Sequence, residues 1–219
     1  MPAGTITALR IQERDSQRVN VFIDGAYAIG ISLSTLARER LFVGQQLSEA
    51  DFARLEQTES VDKALHAALR FLESRPRSEA EIRERLRRKG FAPETIAAAL
   101  ERLQHLGLVD DESFARAWVE NRQTYRPRGR GALRDELRRK GVAPDIISAT
   151  LEDAELLGDE HEQALELGRK ALRKYASAPD RVTFARRMGG YLQRRGFPPD
   201  AVRPVIDQLW REIGGEREE

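Results

Sequence analysis

The sequence predicts a mainly α fold, an elongated tandem array of three-helix modules behind a small N-terminal β-meander. Three observations carry that prediction. A junction of the form Leu-x-Arg-basic-Gly-x-x-Pro occurs three times, as LRRKGFAP at 86–93, LRRKGVAP at 137–144 and LQRRGFPP at 192–199. Apolar residues at helical spacing hold the same register around each copy. Period-two alternation is confined to the first 31 residues. Composition agrees: of 219 residues 33% are charged and only 6% aromatic, a high ratio of surface to core for a chain of this length.

Residues 5–11 and 19–23 alternate apolar and polar, and Asp24-Gly25 is a strong hairpin turn leading into 26–31. A three-stranded meander follows, then a short helix after Ser32 and another capped by Ser48 with Asp51 at its third position. Three strands need a covering surface, so this piece is expected to pack on the first helical module. With six basic residues against eight acidic, 1–60 carries −2 and gives no nucleic-acid signal.

Each Gly junction reads as one helix ending and the next beginning. Basic residues in the last turn suit the negative helix end, Gly supplies a left-handed residue, and Pro opens the following helix. The glycines, Gly90, Gly141 and Gly196, are 51 and 55 residues apart. Ile82, Leu86, Ile96 and Leu100 match Leu133, Leu137, Ile147 and Leu151, then Met188, Leu192, Val202 and Ile206. Upstream of each pair lies a further helix, at 61–73, 112–125 and 160–175, ending near Pro76, Pro127 and Pro179. Ser78 with Glu81 forms a capping box for the helix after Pro76. The expected organisation is 1–60, 61–107, 108–158 and 159–219. With helices of about 13 residues near 20 Å long, three modules would span roughly 60 Å.

The formal charge of +1 conceals blocks. Residues 122–140 hold eight basic and two acidic side chains, a net +6. Residues 169–195 hold nine basic residues against Asp180, a net +8, and 145–166 hold eight acids and no Lys or Arg. Such separation orients a charged partner while the whole stays near neutral; the plainer reading is a set of solvated helix faces.

Catalytic motifs are missing. His66, His105 and His161 are far apart, and the run from His161 puts Leu165 where a second imidazole ligand would sit, so no metal site is expected. Gly129-Arg130-Gly131 begins a glycine loop, but Arg134 stands at the third Gly position and no GxxxxGK[ST] run exists. Asp110-Asp111-Glu112 reads as helix capping ahead of Phe114, which shares a face with Trp118. No cofactor and no catalysis are expected. Zero Cys fits a reducing compartment, and with no apolar run near 18 residues and no secretion signal in 1–15 a cytoplasmic protein without a membrane partner is expected.

The run LGLVDDESFARAWVENR at 106–122, followed by Gly129, Gly131 and ELRRKGV at 136–142, resembles the centre of the RecX family. The resemblance covers about residues 61–210, more weakly toward the flanks, with Arg195 in place of Lys before Gly196 and Val142 in place of the aromatic seen at Phe91 and Phe197. It implies tandem three-helix modules and a binding function. Family members bind the RecA recombinase filament on single-stranded DNA and restrain its ATPase, coprotease and strand-exchange activities, in recombination, repair and the SOS response. Some also bind DNA directly.

The resemblance brings no site residues with it, so the candidates rest on charge. The first surface is Arg126, Arg128, Arg130, Arg134 and Arg138; the second is Arg169, Lys170, Arg173, Lys174, Arg186 and Arg187, with Arg194 and Arg195. Gly129 and Gly131 would let backbone approach a partner closely. Three functional classes follow: a monomeric filament-binding inhibitor, an independent helix-turn-helix DNA binder inserting 92–106 or 143–157, and a passive scaffold. The two would-be recognition helices are acidic or nearly uncharged, against the second class.

Overall fold

The computed structural model of the chain describes residues 3–215; the expected module ends at 1–2 and 216–219 lie outside the described residues. The chain divides into two units, one running to Arg77 together with Glu81–Val109, the other comprising Ser78–Ala80 and the chain from Asp110 onward.

In the first unit β1 (Gly4–Gln12), β2 (Asp15–Ile23) and β3 (Ala26–Ser32) form the antiparallel meander. Asp24 and Gly25 take φ of 50° and 85°, the paired left-handed residues that a two-residue hairpin turn requires. A fourth strand, β4 (Gln46–Leu47), pairs with β1, giving the order β3-β2-β1-β4 where three strands were expected. Two residues are too few to display an alternation. Helix α1 (Leu33–Arg38) is capped by Ser32, and α2 (Glu49–Leu72) by the reciprocal Ser48–Asp51 box.

No Gly or Pro interrupts 49–72, so the helix begun at Ser48 and the one expected at 61–73 are a single 24-residue helix. The boundary expected at 60/61 falls inside it. The first half of α2 buries Phe52 and Leu55 against Ile6, Val19, Val21, Ile23 and Ile31. Its second half buries Val61, Ala64, Ala67 and Ala68 with Ile82 and Leu86 of α3 (Glu79–Arg88) and Ile96, Leu100 and Leu103 of α4 (Pro93–His105). Between the two cores sit two buried carboxylates of α2. Asp62 accepts from both Arg38 amino groups (3.1 and 3.0 Å), from Arg102 (2.9 Å) and from the Thr35 hydroxyl (2.9 Å). Glu59 meets Arg18 (2.9 Å) and the Ser32 amide (2.8 Å).

The second unit contains two triplets. α5 (Asp111–Tyr125), α6 (Arg130–Arg139) and α7 (Pro144–Glu152) form one, with the short α8 (Ala154–Leu157). The helix expected over 143–157 breaks at Asp153, whose ψ of 105° is extended and whose carboxylate accepts from the Glu155 and Leu156 amides to start α8. α9 (Glu160–Tyr175), α10 (Arg181–Arg194) and α11 (Pro199–Gly215) form the other.

The repeated stripe is buried in each copy, with one shift: Ile206 is half-buried and Val205 occupies the deep position in the third. All three junctions close alike. The amides of Phe91, Val142 and Phe197 donate to the carbonyls of Leu86, Leu137 and Leu192 across a left-handed Gly, the bond that ends a helix in a Schellman motif.

Candidate functional site

The glycine pair ahead of α6 makes a close approach within the protein itself. The Gly129 amide donates to the Arg195 carbonyl (3.0 Å) and the Gly131 amide to the Gly196 carbonyl (3.2 Å). A Cβ on Gly129 would stand 2.4 Å from the Gly196 oxygen. The sequence reading reserved this freedom for a partner; the third triplet's junction uses it. Backbone thus meets backbone, and the side chains of 131–138 and 193–197 are set around one groove.

That groove, about 590 Å³, is lined by Arg134 and Arg138 of α6, Arg194 at the end of α10, Gln193, Phe197 and a single acid, Asp135. Arg134 and Arg194 form no ion pair within 4.0 Å among the described residues, and Arg138 reaches Asp135 only at 3.9 Å. The repeat register explains the freedom. Glu84 in the first copy takes Arg87 (2.8 Å) and Arg88 (2.7 Å), and those two guanidiniums hold its carboxyl down at about 2. Asp135 stands at the equivalent place in the second copy with a shorter reach, and Gly190 in the third, where no carboxylate exists. A Cβ there would lie 3.1 Å from an Arg194 amino group.

The other first-surface candidates divide. Arg126 is exposed and unpaired among the described residues. Arg128 lies half-buried 3.7 Å from Glu136, and Arg130 4.0 Å from Glu160, whose carboxylate also accepts the Arg130 amide (3.0 Å). Both are partly buried and reach these acids only at ion-pair range, their Nε atoms buried without a hydrogen-bond partner among the described residues. Glu136 further accepts from Arg122 (2.7 Å) and from the Trp118 indole N–H (2.9 Å). Arg122 and Lys140 lie over the Trp118 ring at 4.3 and 4.9 Å. The indole is half-buried beside Phe114, their centroids 5.9 Å apart, and it serves as a cation-bearing plate.

On the second surface Arg169 is held by Glu212 (2.6 Å), each pushing the other further into its charged range. Lys170 pairs with Glu166 (2.6 Å), and Lys174 lies 5.7 Å from the Tyr175 ring. Arg173, Arg186 and Arg187 are exposed and form no ion pair among the described residues.

The acidic block supplies internal partners, which charge counting along the chain could not show. Asp153 holds Arg116 (2.8 Å), Glu160 holds Arg130, and Asp159 caps α9. Asp110 caps α5, its carboxyl lowered by the Ser113 hydroxyl and by the Ser113 and Glu112 amides. Asp111 accepts the Glu79 amide (2.8 Å). Asp110 and Asp111 therefore hold helix-start amides, as the capping reading of this cluster expects. Among the described residues no group of three or more His, Asp or Glu could hold a metal ion, and no helix is long and apolar enough to cross a membrane.

Comparison with known proteins matches each segment in turn. Models of the RecX N-terminal domain and of the first, second and third RecX three-helix domains match residues 4–48, 64–103, 110–151 and 159–206. Regulatory protein RecX of Mycobacterium sp. (strain JLS) is 40% identical over 72% of this chain and 86% of its own length. That of Lactobacillus johnsonii is 31% identical over 93% and 74%. A crystal structure of a regulatory protein RecX superposes with a TM-score of 0.76 at 27% identity, covering 93% of this chain and 98% of that one. The structure of RecX from Lactobacillus salivarius, at 22% identity and a TM-score of 0.62, shares the fold. With its sheet, its three triplets and their glycine junctions all accounted for in order, the chain belongs to the RecX family of regulatory proteins.

Proposed function

We propose that the chain acts as a monomeric, non-catalytic cytoplasmic regulator of recombination and the SOS response that binds the RecA filament on single-stranded DNA and inhibits its ATPase, coprotease and strand-exchange activities. The observation that supports this reading is the groove between α6 and the α10–α11 junction, where three arginines from successive triplets face one acid. Guanidiniums in that setting take phosphate or carboxylate oxygens in pairs, and a nucleoprotein filament offers both. Arg126, Arg173, Arg186 and Arg187 extend the supply of unpaired cations.

The test is steady-state ATP hydrolysis by RecA on single-stranded DNA as the protein is titrated in. Inhibition is expected below one protein per recombinase protomer. The combined variant R126Q/R134Q/R138Q/R194Q spares Arg128 and Arg130, which are partly buried, and should weaken inhibition with unchanged helicity. Full inhibition by that variant would remove the groove from the contact surface; no inhibition by the parent protein would remove the reading altogether.

Independent reading of duplex DNA by α4 or α7 is not favoured. α4 exposes Glu94 and Glu101, and the break at Asp153 leaves α7 only nine residues with Asp145 in its first turn.

A further inference from the structure

In the first unit the fold assembles a cationic cleft from side chains that stand far apart in the sequence. Lys63, His66 and Arg70 lie at spacings of three and four on α2, so they share one face. Arg18 comes from β2, and Lys89 and Phe91 from the junction between α3 and α4. Together they line a cleft of about 550 Å³ within the first unit, a volume in the range of small-ligand sites. Two acids face these cations. Asp15 lines the rim and accepts the Gln17 amide (3.0 Å). Glu59, buried beneath, meets Arg18 at 2.9 Å and Lys63 at 3.5 Å. That leaves Arg70 and Lys89 exposed with no ion pair among the described residues, and His66 as a further exposed side chain.

We propose that this cleft binds the backbone of single-stranded DNA, with phosphates on Arg70 and Lys89 and a base against Phe91. Three separate elements supply the cations, which suits an extended polyanion better than a single small anion. The half-buried Phe91 ring at the wall offers the aromatic face on which bases stack and an acidic peptide would have no use for. Glu59 fixes Arg18 and Lys63 in place, so the free cations stand on a preset frame. The inference goes beyond the recombinase reading and does not rest on it.

The experiment is fluorescence anisotropy of a labelled oligothymidylate with the full chain, without recombinase, at low salt. The four groove substitutions, extended by R173Q/R186Q/R187Q, serve as background, so that the free arginines of the second unit do not contribute. R70E/K89E should lower affinity at least fivefold and make the salt dependence shallower by about 1.4 powers of salt, the share of two phosphates on a single strand. R70Q/K89Q, the milder pair, should show the same change in slope if the reversal disturbs folding. Phe91→Leu should weaken oligothymidylate binding and leave binding of inorganic polyphosphate as it was. Loss below fivefold with an unchanged slope overturns the proposal. So does absence of any oligothymidylate binding in the groove background, or loss of polyglutamate binding alone. A failure here leaves the ATPase titration untouched, and the converse holds.

Discussion

Two joints in this molecule solve the same problem with opposite chemistry. Where the sheet meets the first triplet, α2 carries Glu59 and Asp62 into the interior and seven side chains from five elements close on them. Where the second triplet meets the third, backbone meets backbone: Gly129 and Gly131 lay their amides on the carbonyls of Arg195 and Gly196, and beside them the Glu160 carboxylate accepts the Arg130 amide (3.0 Å). The first joint depends on charge and tolerates small changes of shape. The second depends first on the absence of atoms, with the Glu160 carboxylate as its charged member.

Asp62→Ala gives the largest expected effect, because it leaves Arg38 and Arg102 facing an empty site. Both guanidiniums are partly exposed, so the loss is that of several hydrogen bonds to a buried charged acceptor, each contributing about 1.5–3 kcal/mol. The urea midpoint followed by circular dichroism should fall, with amide protection lost over α1. Survival of α1 protection would reduce the clamp to surface decoration. The same carboxylate makes the joint acid-sensitive. Burial pushes Asp62 up, but hydrogen bonds from Thr35, Arg38 and Ser34 outweigh it, and the carboxyl sits below its ordinary 3.8. A lowered pKa means its contribution is complete above the unfolded value and fades as pH falls through the folded one. Stability of the first unit should therefore decline as pH drops below about 5. In Asp62→Ala that part of the decline should be gone.

Gly196→Ala ranks second. Gly196 has φ of +91°, and a Cβ there would meet the Ala132 amide nitrogen at 2.3 Å. Left-handed strain of about 1–2 kcal/mol adds to an overpacking cost of about 1–3 kcal/mol. Both tryptophans, Trp118 and Trp210, belong to the second unit, so their fluorescence should report the lowered midpoint. Gly129→Ala isolates the steric part, since its φ of −70° is open to any residue. It should cost about 1–3 kcal/mol, and an unchanged midpoint would show that the joint can spread without penalty.

The difference between the joints also sets what the sequence could reveal. The triplets, the left-handed glycines and the capping roles of Ser48 and Asp110 are local events written in adjacent residues, and all are present. The continuity of α2 was legible as a lack of Gly and Pro over 49–72, but the match to the later copies, which starts a helix at 61, drew the boundary there. Glu136, Glu160 and Glu212 were illegible as partners of Arg128, Arg130 and Arg169, because the first pairing folds the α5–α6 loop back on α6, the second joins two triplets across 30 residues and the third spans 43 residues. The same blindness hid which arginines stay free: Arg134 and Arg128 look alike in the sequence, and only packing shows that Glu136 occupies one of them.

The smallest expected effect is the sharpest control on the comparison. Gly90, Gly141 and Gly196 end equivalent helices with φ of 83°, 77° and 91°, so an Ala at each pays the same left-handed strain. What differs is the surroundings: a Cβ on Gly90 meets nothing within 4 Å, one on Gly141 meets the Ala80 Cβ at 2.3 Å, and one on Gly196 meets backbone. Gly90→Ala should therefore cost only the strain, about 1–2 kcal/mol, Gly141→Ala more, and Gly196→Ala most, because a methyl group yields more readily than a peptide plane. Equal midpoint shifts at the three sites would mean that backbone conformation alone decides the cost. A graded series assigns the excess at Gly196 to its contact with the second triplet, which makes that residue both a helix stop and the seat of the joint.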